Sequence, residues 1–289
     1  MKKTVGMVGI GMMGLGIASN LAKHGHPLVL FEHPGNQPLD ALKAAGAATV
    51  ASTSELAARS DVVILVLTGS PQVEAVLTGA GGVLQGLRPG TVVIDCSTAL
   101  PGSTVKMAQA VEAAGGRFLD APMTRTPKEA AEGRLNLLVG GDAALLEACR
   151  PLLACFAENI THVGATGAGH SMKLLHNYVS LGMVALLAEA AACAQLGGVA
   201  MESFVEGLAT GGGGGVALER IKPYLLARDP SGLRFSIANA AKDLGYYKAM
   251  AEDAGARKDI AAAVLATVQS ALARSDSSAL LPELATLLA

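Results

Sequence analysis

The chain has 289 residues, and its 22 basic and 24 acidic side chains give a formal net charge of −2. This near-neutral balance and an aromatic content of 3% exclude a surface built for nucleic acid, which needs excess positive charge and stacking rings. Hydrophobic residues make up 51%, but many of them are alanine, and 35 glycines interrupt the apolar runs. The sequence therefore predicts no segment of about 20 apolar residues that could span a membrane.

The N-terminus and the cysteines favour a cytoplasmic protein. Met1, Lys2 and Lys3 precede an apolar run, as in a signal peptide, but glycines break that run and no cleavage site of small residues follows. The four cysteines form no CxxC pair and have no histidine at metal-ligand spacing. We therefore expect buried free thiols in a reducing compartment, and no metal site.

In the first half of the chain, short apolar runs alternate with alanine-rich stretches of helical period. The predicted strands are Thr4–Gly9, Leu28–Phe31, Val62–Leu67, Val92–Asp95, Arg117–Leu119 and Leu135–Val139. The predicted helices are Gly14–His24, Leu39–Ala45, Ser54–Ala58, Val73–Leu77, Ser103–Ala114 and Ala143–Leu153. Continuous apolar strands that alternate with helices predict a doubly wound, mostly parallel sheet covered on both faces, which is the α/β arrangement of a Rossmann domain.

In the second half, the strand signal stops and segments of helical period follow one another. The predicted helices are Gly169–Leu196, Met201–Thr210, Leu218–Leu226, Ile237–Ala254, Lys258–Ser275 and Ala279–Leu288. We therefore expect a dinucleotide-binding Rossmann domain over residues 1–165 and an all-α domain for substrate binding and oligomerisation over residues 166–289. The many alanine-rich helices with few charges suggest a self-associating surface, so we expect a homodimer or homotetramer.

A glycine-rich turn follows the first predicted strand and opens the first predicted helix. In the segment Gly9-Ile10-Gly11-Met12-Met13-Gly14, the first glycine permits a tight turn and the second permits close approach of a pyrophosphate to the backbone. The third glycine lets the helix pack on the strand, and the helix N-terminus supplies N–H groups and a favourable dipole. Glu32 ends the second strand, where a carboxylate binds ribose hydroxyls and repels a 2′-phosphate, so we expect NAD rather than NADP.

Four polar residues share one face of the first helix of the second half. Lys173, His176, Asn177 and Ser180 are spaced i, i+3, i+4 and i+7 on an otherwise apolar segment. Such a face either meets water or lines a binding site. Hydride transfer at a hydroxyl-bearing carbon needs a proton donor or acceptor at the oxygen, and a lysine whose pKa is tuned toward neutrality can serve.

The sequence resembles the β-hydroxyacid dehydrogenase family, which includes 3-hydroxyisobutyrate dehydrogenase and tartronate semialdehyde reductase. The resemblance covers nearly the whole chain and depends on seven motifs in the family's order. They are Gly9 to Gly14 through Asn20-Leu21, Asp95-Cys96-Ser97-Thr98 with Pro101, Asp120-Ala121-Pro122, Gly133, Val139-Gly140-Gly141, Gly167-Ala168-Gly169 with Lys173-Leu174-Leu175-His176-Asn177, and Lys242-Asp243-Leu244.

The resemblance implies a nicotinamide-dependent oxidoreductase that interconverts a small 3-hydroxy acid and its semialdehyde. It implies that Lys173 is the catalytic lysine and that Asn177 is its substrate-binding neighbour. The further site residues that it implies are Ser97 for the substrate and Leu67, Thr98 and Lys242 for the cofactor. Judged from the residues alone, Thr98 is a capping or turn threonine and Lys242 forms a surface ion pair with Asp243.

One loop departs from the family pattern. After Asp120-Ala121-Pro122 the family usually carries a hydrophobic residue and Ser-Gly-Gly, whereas this chain has Met123-Thr124-Arg125-Thr126. An arginine adds a bidentate donor that suits a carboxylate, sulfonate or phosphate, so we expect Thr124, Arg125 and Thr126 to bind a small anionic substrate. The alternative hypothesis is that Arg125 is exposed on the surface and binds no substrate.

Two alternatives concern the activity itself. Arg125, Asn177, Tyr178 and Ser180 resemble the sulfolactaldehyde reductase branch, but His176 replaces an asparagine that this branch uses for the anion, which puts a sulfonate substrate in doubt. The other alternative is a sensor that binds NAD without turning over a substrate. An imine reductase is disfavoured by Lys173, which such relatives generally lack.

Overall fold

A computed structural model describes residues 2–276 and 278–289. The chain divides into two compact units, one ending at Lys173 and the other beginning at Leu174. The sequence prediction ended the first domain at residue 165, before the helix in which this division falls, and the domain limits remain a prediction.

In the described part of the first unit, nine strands form one sheet. The strands are β1 Val5–Val8, β2 Leu28–Phe31, β3 Ala48–Val50, β4 Val62–Leu65, β5 Val92–Asp95, β6 Arg117–Asp120, β7 Met123–Thr124, β8 Leu135–Gly141 and β9 Ala157–Gly164. Their order is β3-β2-β1-β4-β5-β6-β8-β7, with β9 paired to β8. The six strands from β3 to β6 are parallel, whereas β8 runs antiparallel to β6 and β7.

Helices connect these strands. They are α1 Met12–Lys23, α2 Asp40–Ala44, α3 Thr53–Ala58, α4 Ser70–Thr78, α5 Val83–Gly86, α6 Pro101–Ala113, α7 Pro127–Ala131 and α8 Ala143–Leu153. Alternate strand residues enter two different cores: Val62 and Ile64 of β4 pack in one cluster, and Val63 and Leu65 in another. Because successive side chains of a strand point to opposite faces, the sheet is covered on both faces. The predicted doubly wound α/β fold is confirmed.

Three strands had no predicted counterpart: β3, β7 and β9. Two of them have only three and two residues, too short to show a periodic pattern. The third, β9, contains Glu158, Asn159 and His162, all exposed, so it lacks the apolar run by which the buried strands were identified. Strands at the edge of a sheet need no apolar face on both sides, and composition alone does not reveal them.

The second unit is built from helices. The helix α9 Ala168–Leu196 enters it from the first unit and is followed by α10 Met201–Ala209, α11 Val216–Ala227, α12 Ile237–Asp253, α13 Asp259–Leu272 and α14 Leu284–Leu287. The predicted helix Ala279–Leu288 is wrong in extent. A 3₁₀ turn occupies Leu281–Glu283, and only the four residues of α14 are α-helical. Pro282 lacks an N–H and restricts the preceding residue, so a continuous helix cannot form there.

Among the described residues, α9 is the one helix that is long and apolar enough to cross a membrane by length and composition. Core helices pass the same test, and residues such as Val184, Ala185 and Ala188 of α9 are buried in the core of the second unit. The opposite side is exposed: Val179 is 57% and Leu186 62% accessible. The helix α9 therefore buries one side in this unit and exposes apolar side chains on the other.

Candidate functional site

The turn between β1 and α1 is closely packed on one side and open on the other. Gly9 has φ +90°, and a Cβ there would lie 2.1 Å from the carbonyl oxygen of Val66. A Cβ at Gly14 would lie 2.0 Å from the carbonyl oxygen of Gly9. Gly11 has no atom within 4 Å of the position its Cβ would take, and no side chain caps α1. The turn thus presents uncapped N–H groups beside open space, which fits a pyrophosphate.

The two methionines of this turn differ in their surroundings. Met12 is 58% exposed, whereas Met13 is half-buried and packs against the core of the first unit. Their backbone N–H groups lie in the first turn of α1, where N–H groups have no helical partner. Of the two side chains, that of Met12 is therefore the accessible one.

The acidic residue after β2 has a cationic neighbour. The ammonium of Lys43 lies 2.7 Å from Oε1 of Glu32. The hydrogen bond and the positive charge of Lys43 lower the pKa of Glu32, and the Thr49 hydroxyl acts in the same direction. Glu32 is therefore an anion at neutral pH. Sequence reasoning missed Lys43 because it follows Glu32 by eleven residues, on a different element.

A loop after β2 is attached to the glycine-rich turn. Asn36 accepts a hydrogen bond from the backbone N–H of Ile10 at 3.2 Å and donates to the carbonyl of Phe31 at 2.9 Å. The N–H of Gln37 donates to the carbonyl of Ile10 at 2.8 Å. This loop holds the glycine-rich turn against the end of β2, a positioning role for Asn36 that the sequence analysis did not anticipate.

The loops after β4 and β5 meet through Ser97. Its hydroxyl accepts the backbone N–H of Leu67 at 2.9 Å, and its own N–H donates to Oδ1 of Asp95 at 2.9 Å. Ser97 is 2% exposed, whereas Leu67 and Thr98 are half-buried. The structure therefore brings Leu67 and Ser97 together at the carboxyl edge of the sheet, where ligands bind in doubly wound folds.

A buried polar cluster ties the start of α9 to the ends of β5 and β6. Asp120 accepts the backbone N–H groups of Gly167 and His170 at 2.8 and 2.9 Å. The ring of His170 lies 2.7 Å from the Thr104 hydroxyl through Nδ1 and 3.1 Å from the carbonyl of Ser97 through Nε2. His170 and Asp120 are fully buried. The cluster fixes the helix turn that precedes Lys173, and the sequence analysis did not identify it.

Asp95 makes the stability of this cluster depend on pH. Burial raises its pKa, although His170 and Ser97 oppose the shift. A carboxyl with a raised pKa in the folded state binds a proton that the unfolded chain has released, so folding should lose stability as pH rises above about 4. An Asp95→Asn variant has no carboxyl at this position, so it lacks this pH-dependent contribution to stability. Melting curves between about pH 4 and pH 7 should show wild type losing stability relative to this variant; a difference independent of pH would contradict this prediction.

In the loop Met123-Thr124-Arg125-Thr126, which departs from the family pattern, the polar side chains bind other residues of the first unit. Thr124 is 8% exposed and accepts a hydrogen bond from Asn136 at 3.1 Å. Arg125 has a positive φ of 82° and pairs with Glu158 of β9 and the carbonyl of Arg134. Thr126 caps α7 and forms a capping box with Glu129, which satisfies the first N–H groups of that helix. An anion at Arg125 would therefore compete with Glu158.

The polar face of α9 is unevenly exposed. Lys173 and Ser180 are half-buried, His176 is exposed, and Asn177 is 5% exposed. The ring of His176 donates through Nδ1 to the side-chain oxygen of Asn177 at 3.1 Å. The imidazole of His176 is therefore accessible to solvent, whereas the amide of Asn177 is buried.

Asn177 is held by a buried carboxylate of α12. Its amide donates to Oδ2 of Asp243 at 2.7 Å, and Lys242 lies 3.0 Å from the other oxygen of Asp243. Asp243 is 3% exposed, so the ion pair is not the surface pair that the residues alone suggested. The carboxylate links two predicted site residues, Asn177 and Lys242, that lie far apart in the chain.

The chain matches family profiles along nearly its full length. A profile described as the NAD binding domain of 6-phosphogluconate dehydrogenase matches residues 4–164. A second, described as NAD-binding of NADP-dependent 3-hydroxyisobutyrate dehydrogenase, matches residues 167–284.

Curated relatives and a solved structure agree with these profiles. The chain is 36% identical over 250 residues to the NAD-dependent L-serine dehydrogenase of Pseudomonas aeruginosa, covering 84% of this chain and 83% of the relative. It is 34% identical to the 2-(hydroxymethyl)glutarate dehydrogenase of Eubacterium barkeri, covering 83% and 80%. The structure of Mycobacterium tuberculosis 3-hydroxyisobutyrate dehydrogenase with L-serine superposes with a TM-score of 0.88 at 28% identity, covering 100% and 99%. The chain belongs to the β-hydroxyacid dehydrogenase family, and it is an oxidoreductase that uses a nicotinamide dinucleotide to interconvert a small 3-hydroxy acid and its semialdehyde.

Proposed function

We propose that the cofactor is NAD, bound by the turn Gly9 to Gly14 and by Glu32. The open space at Gly11 and the uncapped start of α1 support a pyrophosphate there. The anionic carboxylate of Glu32 accepts hydrogen bonds from the 2′- and 3′-hydroxyls of the adenosine ribose and repels a 2′-phosphate. Leu67, Thr98 and Lys242 complete the proposed set of cofactor-binding residues.

We propose that Lys173 moves the proton of the reacting oxygen. When bound, the dinucleotide accepts or supplies the hydride. In the oxidation direction, Nζ of Lys173 takes the hydroxyl proton; in reduction, it returns a proton to the carbonyl oxygen. The ammonium also stabilises negative charge that develops on this oxygen. The observation that carries this assignment is the half-buried position of Lys173 one turn after the buried His170–Asp120 cluster.

We propose that the substrate is a small 3-hydroxy acid whose anionic group is a carboxylate. Ser97, Thr124, His176, Asn177 and Ser180 offer hydroxyl, imidazole and amide groups of the kind that bind carboxylate and hydroxyl oxygens. L-Serine is itself a 3-hydroxy acid, and it appears in the names of one relative and one solved structure. Arg125 already pairs with Glu158, and Thr126 already caps the start of α7. These contacts give no added support to the hypothesis that the substrate is a sulfonate.

Steady-state oxidation by the purified enzyme tests this proposal. The compounds to compare are 3-hydroxyisobutyrate, L-serine, 3-hydroxypropionate, glycerate, 2-(hydroxymethyl)glutarate and 2,3-dihydroxypropane-1-sulfonate, each with NAD and with NADP. We expect the highest kcat/KM with NAD and a carboxylate acid. Faster turnover of 2,3-dihydroxypropane-1-sulfonate, the alcohol that corresponds to sulfolactaldehyde, would instead support a sulfonate substrate. Binding of the dinucleotide without turnover of any compound would favour the hypothesis of a sensor that binds NAD. A preference for NADP would refute the proposal that Glu32 selects NAD.

We propose that the enzyme is a cytoplasmic homodimer or homotetramer whose contacts include α9. Large apolar side chains with three- to four-residue spacing are exposed on this helix, namely Met172, Leu175, Val179, Met183 and Leu186. A row of this kind is typical of helices that pack against a second copy. Light scattering should show a dimer or tetramer, and Leu186→Glu should lower the mass toward a monomer. A monomeric wild type would refute the proposal.

A further inference from the structure

A cavity lies beside the end of β2, next to the dinucleotide turn. Its volume is about 350 Å³, and its lining includes Glu32, His33, Asn36, Asp40 and Lys43. Asn36 also binds the backbone N–H of Ile10, so the cavity adjoins the glycine-rich turn directly. A ligand that reaches from the turn to Glu32 therefore meets the side chains of this cavity.

Two carboxylates and one ammonium line the cavity. Glu32 and Asp40 carry negative charge and Lys43 carries positive charge, and both carboxylates act on the ammonium of Lys43. His33 accepts the N–H of Gly35 at 3.0 Å through Nδ1, so that nitrogen carries no proton in this arrangement. Lys43 is consequently the cation that an added phosphate would meet on this side of Glu32.

The pair between Lys43 and Glu32 is accessible to solvent. Their side chains are 46% and 49% exposed, and the closest approach is 2.7 Å. Exposed ion pairs contribute little to folding, so either residue can be replaced without unfolding the domain. An ammonium that is held by one carboxylate is available to a phosphate once that carboxylate is removed.

We propose that Glu32 and Lys43 together determine the choice between NAD and NADP. Glu32 excludes a 2′-phosphate by repulsion and also by occupying Lys43, the residue that would otherwise bind it. Lys43 in turn orients the Glu32 carboxylate. This inference rests on the proposed NAD site and adds a second specificity-determining residue to it.

A double-mutant cycle measured by calorimetric titration with NAD and NADP tests this proposal, because it reports binding without turnover. Four proteins are compared: wild type, Glu32→Gln, Lys43→Met and the double variant. We expect Glu32→Gln to lower the Kd for NADP about tenfold or more, as a charge-assisted hydrogen bond to phosphate allows. The double variant lacks the ammonium, so it should keep only the smaller part of the gain that comes from removing the repulsion by Glu32. The gain should also shrink as salt concentration rises.

The matched control is Lys23→Met in the Glu32→Gln background. Lys23 is an exposed lysine in the last turn of α1 and does not line the cavity, so this variant should keep the gain in NADP affinity. A double variant Glu32→Gln/Lys43→Met that retains the full gain of Glu32→Gln would overturn the role of Lys43, and so would the absence of any gain in Glu32→Gln while wild type binds NAD. Failure of wild type to bind NAD would instead refute the proposed cofactor site.

Discussion

Replacing Lys173 with alanine should lower kcat by about 10³-fold, within the usual range for loss of a general acid or base. The variant loses both the group that exchanges the proton and the charge beside the reacting oxygen. Steady-state kinetics with the best acid of the substrate series measures kcat, and calorimetric titration measures NAD binding. We expect the Kd for NAD to change less than about threefold, because Lys173 lies outside the dinucleotide turn.

Two further variants separate the possible roles of this lysine. Lys173→Arg keeps the positive charge, but an arginine does not release its proton in proteins, so activity should stay low if proton transfer is the main role. Lys106→Ala removes an exposed lysine of α6 and should leave kcat unchanged. Activity of Lys173→Ala within tenfold of wild type would mean that another group moves the proton.

Gly14→Ala should abolish NAD binding and lower the free energy of unfolding by about 3 kcal/mol, at the upper end of the range for overpacking. The new Cβ would lie 2.0 Å from the carbonyl oxygen of Gly9. That backbone has little freedom to move, because the Cα of Gly9 itself packs against the carbonyl of Val66. Denaturant unfolding and calorimetric titration with NAD measure the two effects. Wild-type stability in this variant would show that the turn adjusts its backbone.

Gly11→Ala should weaken NAD binding without lowering the free energy of unfolding. Its Cβ would meet no protein atom within 4 Å, so folding should be unaffected. The methyl group would occupy the space proposed for the pyrophosphate, and we expect the Kd for NAD to rise about tenfold or more. Gly102→Ala on α6, another position with open space around its Cβ, is the matched control and should bind NAD normally. Normal NAD binding by Gly11→Ala would place the pyrophosphate elsewhere.

Local sequence features predicted much of the fold. The apolar runs of β2 and β5 and the helix α8 agree with the structure to the residue, because buried strands and amphipathic helices have distinct periods. The strands β3, β7 and β9 and the short turn at Leu281–Glu283 had no such signal. Each is too brief, too exposed or interrupted by proline, so its conformation depends on the elements that it pairs with or follows.

The sequence by itself determined the family, the alternation of strands and helices in the first half, and the glycine spacing of the dinucleotide turn. These features depend on residues close together in the chain, whose periods and spacing are visible directly. Only the tertiary structure showed that Lys43 pairs with Glu32, that Arg125 pairs with Glu158, and that Asp243 holds Asn177. Partners that are separated by 11, 33 and 66 residues meet because of the positions of strand ends and helices, and a hydrogen bond needs a distance that no single sequence specifies.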